Sequence, residues 1–453
     1  MLNVSITPHR DFFPVDAPTQ KLFVMLRLAP TQEVSATRPV THFAFIIDTS
    51  GSMYEVVAGD PKPTGQSFSV DGKSYQAISG GITKLDIVIQ SLNALLDSGR
   101  LDEQDQVAII QFDNQASTLA PLTPATETGL LKAAIDRLTQ FSGGTCMGLG
   151  MKHALELFHT ESMASKHSLI FTDGQTFDED LCQQLGTQFS HANIPITALG
   201  VGDYNADLLT GLTDKTAGRF FHVDNQNGIP VQSLPETILE EFSKAQQDVI
   251  TNLALSIKTV QGVRLSRVMR VYPDKLNFPL ASTPYPIGNA QANDETVFIL
   301  DFDIDSRPAG RIRIAQLGLT YDVPGQNKRG ELPPQNLVMQ FVVGAPAVQV
   351  DPVVMGYLQQ ANIRDLIDQA SQADNPEQAA DLLDKAEKLT ERIQDPDVRK
   401  TINVAKDELR KTKRISDGTR KTMKMNSRGK TQRMDGDPLS EINDDLIRQQ
   451  TGT

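Results

Sequence analysis

The chain has 453 residues, 39% of them hydrophobic, enough for two or three domains with cores of their own. A formal net charge of −13 makes most of its surface a poor partner for nucleic acid or anionic membrane. With only Cys146 and Cys182 it lacks the disulfide framework of secreted proteins, and it has no run of about 18 apolar residues to span a membrane.

The opening MLNVSITPHRDFF has no basic segment followed by an apolar core, so no signal peptide is read there and a cytoplasmic protein is expected. Residues 1–38 read as β: Leu2, Val4 and Ile6 alternate, then Leu22, Val24, Leu26 and Leu28. Residues 40–225 change character. Apolar runs at 43–47, 107–112, 168–171, 196–201 and 220–223 alternate with helical patterns. Leu85, Val88, Leu92, Leu95 and Leu96 form one such pattern; Met147, Met151, Ala154, Leu155 and Phe158 form another. That alternation predicts a parallel sheet covered on both faces, with ligands beyond the carboxyl ends of its strands. Residues 54–82, rich in Gly, Pro and Ser, read as a long loop beside the first strand end. It could shape the site or be a tolerated insertion.

Residues 246–344 return to β, with Leu253, Leu255 and Ile257 alternating, then Val297 and Ile299, then Ile312 and Ile314. A change of phase to Leu317, Leu319 and Tyr321 suggests a bulge at Ala315 and Gln316. The N-terminal strands have no place in the α/β unit that follows them. They are therefore expected to pair with these later strands, which makes the α/β domain an insertion in a β-sandwich. Residues 351–412 read as a helical hairpin or bundle, with Leu382, Ala386, Leu389 and Ile393 on one face and helix starts at Pro376 and Pro396. Residues 414–453 carry few apolar residues and no periodicity, and read as a disordered tail.

The first apolar run ends in FAFIIDTSGSM, which places Asp48, Ser50 and Ser52 within five residues. Three hard oxygen donors suit Mg²⁺, Mn²⁺ or Ca²⁺ but do not complete a coordination sphere. FSGGTCMG adds Thr145 at a helix start, and SLIFTDGQ adds Asp173 after an apolar strand. Both lie in loops that a doubly wound sheet gathers on one edge. Two carboxylates roughly neutralise a divalent ion, and one position stays open for an acidic group from outside. A plain strand cap or Asx turn is the competing account of Asp48 and its neighbours.

These motifs, in this order, resemble the von Willebrand factor A domain and its metal-ion-dependent adhesion site, over roughly residues 40–225. The resemblance implies a Rossmann-like fold. It also implies direct coordination by Ser50 and Ser52, coordination by Thr145 directly or through water, and mostly water-mediated coordination by Asp48 and Asp173. It implies a protein partner that donates an Asp or Glu to the metal, although some such domains bind partners away from it. The long insertion after Met53 departs from the pattern. No nucleotide-binding glycine motif, no metal-spaced pair among the seven histidines and no supported nucleophile appear, so the chain is not expected to be an enzyme. His153 reads as a surface residue or one behind the ligands rather than a catalytic group, and Cys146 as a small buried residue at a helix start, a redox effect on the adjoining site being the alternative.

The tail is basic between Arg410 and Met434, with ten bases against the single acid Asp417. Thr419, Thr422 and Thr431 sit among those bases. In accessible chain they suit a kinase that reads nearby Lys and Arg, and phosphate there suits an Arg-lined phosphothreonine-binding module. The segment also resembles the tails of bacterial cytoplasmic von Willebrand A proteins linked to Ser/Thr kinases and phosphatases. Its interleaved residues are Met rather than aromatic, so stacking on nucleic acid lacks support. The function expected is a Mg²⁺-dependent interaction scaffold. The alternatives are a co-chaperone adaptor for an AAA+ ATPase and an enzyme whose active site is not recognised.

Overall fold

The computed structural model describes the chain except residues 16, 71–72, 160–162, 227, 281–282, 345–349, 391–394 and 435–453. The chain forms two compact units, one of Arg38–Val249 with Pro324–Asn327, the other of Met1–Thr37, Ile250–Val323 and the residues from Lys328 onward. Three strands open it, β1 (Leu2–Pro8), β2 (Phe12–Pro14) and β3 (Thr19–Pro30), followed by the single turn α1 (Gln32–Ser35).

The α/β unit begins with β4 (Thr41–Asp48), buried along its whole length. Next come a hairpin of β5 (Val56–Val70) and β6 (Lys73–Thr83), then α2 (Lys84–Asp97), β7 (Gln106–Phe112), β8 (Ala116–Pro124), α3 (Thr128–Asp136), α4 (Met147–Phe158) and β9 (Ser165–Thr172). The unit closes with α5 (Glu179–His191), β10 (Ile196–Val201), α6 (Ala206–Thr216), β11 (Phe220–Val223) and α7 (Leu234–Gln247). The sheet order is β11-β10-β9-β4-β7-β8, parallel except for β8. Because β7 and β9 flank β4 on opposite sides, the chain reverses direction across the sheet at β4. The switch-point crevice lies beyond the ends of β4 and β9, where Asp48 and Asp173 sit.

Two features of this unit differ from the sequence expectation. The stretch 54–82 is not a plain loop, since β5 and β6 pair antiparallel from Val56↔Thr83 to Val70↔Lys73 with several register shifts. Its glycines and prolines fit those irregularities rather than a lack of structure. The edge strand β8 is also unannounced, because ASTLAPLTP buries only Leu119 and Ala120 and offers no apolar run.

The other unit continues with β12 (Asp248–Thr259), β13 (Val263–Tyr272), β14 (Leu276–Phe278), β15 (Tyr285–Gln291), β16 (Thr296–Asp305), β17 (Gly310–Val323) and β18 (Lys328–Val342). Two five-stranded sheets result, ordered β1-β3-β16-β13-β14 and β15-β12-β17-β18-β2. Thus β3 pairs antiparallel with β16 from Leu28↔Thr296 to Thr19↔Asp305, and β2 joins β18. The first register shift in β17 falls between Arg313 and Ala315, one step before the expected bulge, and a second follows between Leu317 and Leu319.

Among the described residues four helices complete this unit: α8 (Pro352–Gln372), α9 (Pro376–Thr390), α10 (Pro396–Thr412) and α11 (Asp417–Arg428). Pro376 and Pro396 stand at helix starts, and Asp395 caps α10 by accepting from the Val398 N–H. The buried face of α9 is Ala379, Leu383, Ala386 and Thr390, with Leu382 and Leu389 flanking it; Ile393 lies outside the described residues. One face of α8 packs on the first sheet through Val354, Met355, Tyr357 and Leu358 against Phe23, Met25, Met269 and Ile299. Leu22, Val24, Leu26 and Leu28 are buried on the opposite face of β3. The first sheet is therefore buried on both faces, with α8 covering one of them.

Of the tail expected to be disordered, residues 414–434 are instead packed structure. Helix α11 is capped by Ser416 and completes a four-helix core with Ile363, Ile367, Leu383, Ile402 and Leu409 around its Met423. Its buried face includes Thr419 and the stems of Lys421 and Lys424, so aliphatic parts of basic side chains supply the apolar surface that a residue count misses. Acids meet the basic heads, Asp417 one turn earlier at Lys421 and Asp368 of α8 at Arg428, while Arg420 donates to the carbonyls of Ser371 and Ala373. The expected tail beyond residue 434 lies outside the described residues.

Candidate metal centre

Strand β4 delivers Asp48 into the crevice with its side chain wholly buried. Its Oδ1 accepts the Ser50 N–H at 2.8 Å, and its Oδ2 accepts the Thr172 hydroxyl at 2.7 Å. The chain then makes one 3-10 turn, Gly51–Tyr54, which sets Ser50 and Ser52 side by side with hydroxyl oxygens 3.2 Å apart. Ser52 in turn donates to Asp173 Oδ1 at 2.7 Å. Four of the five expected ligands therefore form a continuous hydrogen-bonded row.

Thr145, the fifth, borders the same space. A Cβ added at Gly174 would lie 3.3 Å from Thr145 Oγ1 and 4.0 Å from Ser52 Oγ, so the glycine helps keep the space between the two hydroxyls open. The Thr145 loop is clamped from several sides. Its carbonyl accepts from the Phe177 N–H at 2.8 Å and the Thr176 hydroxyl at 3.2 Å. The neighbouring Gly144 N–H donates to Asn114 Oδ1, and Cys146 N–H to the Asp113 carbonyl. Asp178 accepts from both the Thr176 hydroxyl and the Gly148 N–H, tying that loop to the start of α4.

Four contributors escaped the sequence reading. Thr172 holds Asp48, and parallel pairing of β4 with β9 could have found it, since Ile47 lies opposite Phe171. Thr176 and Asp178 brace the Thr145 loop. Lys84, the first residue of α2, donates from Nζ to Asp173 Oδ2 at 2.6 Å and to Glu55 Oε2 at 2.7 Å while only 8% exposed. No local motif announces it, because the hairpin separates it from Asp48 in sequence.

The electrostatics follow from burial. Burial pushes the Asp48 carboxyl up to about 7, with help from the Asp173 charge and against hydrogen bonds from Thr172 and Ser50. Burial also raises Asp173, although the Lys84 ammonium opposes it. Burial alone would lower Lys84, but the Asp173 and Glu55 carboxylates outweigh it and hold the amine above its ordinary value. The site is therefore short of positive charge at Asp48.

The donor set fits a hard divalent ion. Neighbouring corners of an octahedron with bonds near 2.1 Å lie about 3.0 Å apart, and the row of oxygens is spaced at 2.7 and 3.2 Å. Among the described residues no three His, Cys, Asp or Glu side chains converge on a metal-sized space, so an ion here depends on hydroxyl oxygens. His153 meets Thr118 at 3.0 Å rather than any of these donors. Burial raises the Cys146 thiol, which disfavours the reactive thiolate.

The tail threonines lie in the other unit. Thr419 and Thr431 are each 4% exposed and Thr422 is half-buried; Thr431 donates its hydroxyl to the Val271 carbonyl at 2.7 Å. The accessible chain on which their modification was expected is, up to Met434, packed structure.

Residues 43–236 match the family model of the von Willebrand factor type A domain, and residues 352–433 match that of the Sll0103-like C-terminal alpha-helical domain. The Synechocystis protein sll0103 is 23% identical over 323 residues, covering 69% of each chain. Among solved structures, a von Willebrand factor type A protein from Catenulispora acidiphila superposes with a TM-score of 0.72 at 18% identity, covering 95% of this chain and 97% of that one. The ArnB paralog VWA2 from Sulfolobus acidocaldarius gives 0.60 at 16% identity, covering 94% and 98%. These likenesses extend beyond the α/β unit and establish the fold. Among the described residues no helix is long and apolar enough to cross a membrane.

Proposed function

We propose, taking residues 43–236 as a von Willebrand factor type A domain, that the chain is a cytoplasmic interaction scaffold. In this reading Asp48, Ser50, Ser52, Thr145 and Asp173 hold a Mg²⁺ ion, or Mn²⁺ or Ca²⁺ by the same donors, and an Asp or Glu of a protein partner completes its sphere. The observation that carries the reading is the row Ser50–Ser52–Asp173 at the switch-point edge, backed by a buried Asp48 whose two oxygens are already fixed by Ser50 and Thr172.

When bound, the ion supplies a Lewis-acidic position for a carboxylate oxygen. Asp48 and Asp173 lend negative charge, and the serine hydroxyls add oxygen donors without more. Phe177, 77% exposed and bonded through its N–H to the Thr145 carbonyl, offers a partner an apolar anchor beside the site. Binding of this kind uses no nucleophile or general base, so the role proposed is recognition rather than catalysis. Control of the scaffold by a Ser/Thr kinase, phosphatase or phosphothreonine-binding module acting at Thr419, Thr422 or Thr431 would require α11 and the segment after it to leave the bundle.

The test is partner capture by the immobilised full chain from a lysate of its own organism, in Mg²⁺ and in EDTA. The reading expects proteins retained in Mg²⁺ alone and lost with the paired substitutions Ser50→Ala and Ser52→Ala. An identical set retained in EDTA and by that variant overturns it.

A further inference from the structure

The metal reading accounts for five oxygen donors and leaves Lys84 unexplained. A buried ammonium is an unusual neighbour for a cation site, because it competes for the same carboxylate. Its placement is not incidental. Lys84 opens α2, whose start is fixed by a capping box between Thr83 and Asp86. Its backbone N–H donates to the Glu55 carbonyl at 3.1 Å and its Nζ reaches the Glu55 carboxylate at 2.7 Å. Two bonds thus fasten the base of the β5–β6 hairpin and hold the ammonium on Asp173 Oδ2. Gly202, at φ +78°, turns the chain after β10 so close that a Cβ there would lie 3.4 Å from Nζ. The head is therefore confined between β9, β10 and the hairpin base.

Resting on the metal reading above, we propose that Lys84 is a resident counter-cation of this site. It neutralises Asp173 when no metal is bound, weakens the affinity for divalent ions, and leaves a loaded site more positive, and so more attractive to an acidic partner, than its two carboxylates alone would make it. Glu55 moderates the effect by sharing the ammonium. The β5–β6 hairpin, which ends at Thr83 immediately before Lys84, is the element that brings this charge to the site.

A unit charge roughly 6 Å from a divalent ion weakens binding by about tenfold even at the dielectric of bulk water. The experiment is Mn²⁺ binding to the full chain, followed by the loss of the free-ion electron paramagnetic resonance signal. The comparison covers wild type, Lys84→Met, Lys84→Gln and Glu55→Gln. Lys84→Met is expected to bind Mn²⁺ at least about tenfold more tightly. Lys84→Gln should do the same if the Met variant does not fold, and Glu55→Gln should bind more weakly. Thermal unfolding gives a second readout, with Lys84→Met less stable than wild type in EDTA and regaining most of the difference in Mn²⁺. A Lys84 that merely props Asp173 in place predicts the reverse, weaker Mn²⁺ binding without it. Equal or weaker binding by both neutral variants, while wild type binds, overturns the counter-cation and leaves the metal site standing. Absence of binding by every protein overturns the metal site itself and this proposal with it.

Discussion

Replacing Asp48 by Asn should stabilise the metal-free α/β unit while removing its capacity for metal. The Asp48 carboxyl has its ordinary value of 3.8 in the unfolded chain and is pushed up to about 7 in the fold, chiefly by burial. Between those values the folded domain holds a proton that the unfolded chain has released. Stability of the wild type therefore falls as pH rises through that window and levels off above it. Relative to an unshifted carboxyl, burying Asp48 costs the fold about 4 kcal/mol at pH 8, where it is charged, and about 2 kcal/mol at pH 5, where it must take up a proton. Asn keeps an oxygen for the Ser50 N–H and turns an amide toward Thr172, whose hydroxyl can accept as well as donate. Its advantage over wild type in EDTA should thus grow by about 2 kcal/mol from pH 5 to pH 8. Urea titrations read by hydrogen exchange of β4 amides report on this unit alone. Mg²⁺ should raise the wild type at pH 8 and leave the variant unchanged. An advantage independent of pH, or a variant less stable than wild type at pH 8, would refute the reasoning.

Two further outcomes concern the helical bundle. Arg364, 3% exposed, pairs with Asp395 and donates to the carbonyls of Asn426 and Lys430, so Arg364→Met should destabilise the bundle by about 3–5 kcal/mol and open residues 410–434 to trypsin. A loss below about 1 kcal/mol with unchanged cleavage would contradict the packing described, because a broken buried pair costs more. Thr419 and Thr431, buried in the native chain, should resist a basophilic kinase that modifies the synthetic peptide 410–434; phosphate incorporated equally fast into both would show the segment to be free in solution.

The legible parts of this molecule are those where one physical requirement fixes one residue type. A strand buried on both faces must be apolar, so Asp48 at the end of β4 is conspicuous, and Thr145 and Asp173 are found by asking what else reaches that edge. The pairing of β3 with β16 is also legible, because orphan strands need partners. What stays hidden depends on parts of side chains or on distant placement. Part of the surface that α11 buries comes from the Lys421 and Lys424 stems. The strand β8 is polar because an edge strand needs little apolar surface. Lys84 reaches Asp173 only because the whole β5–β6 hairpin folds back on its own base.

The most direct test of the metal centre is Mn²⁺ binding to the full chain compared with the double substitution Ser50→Ala and Ser52→Ala, which removes two oxygens from the row and leaves both carboxylates and Lys84 in place. Wild type should bind one ion per chain in competition with Mg²⁺, and the variant, still folded by far-UV circular dichroism, should bind none. Equal binding by the folded variant, or none by wild type, would contradict the central claim.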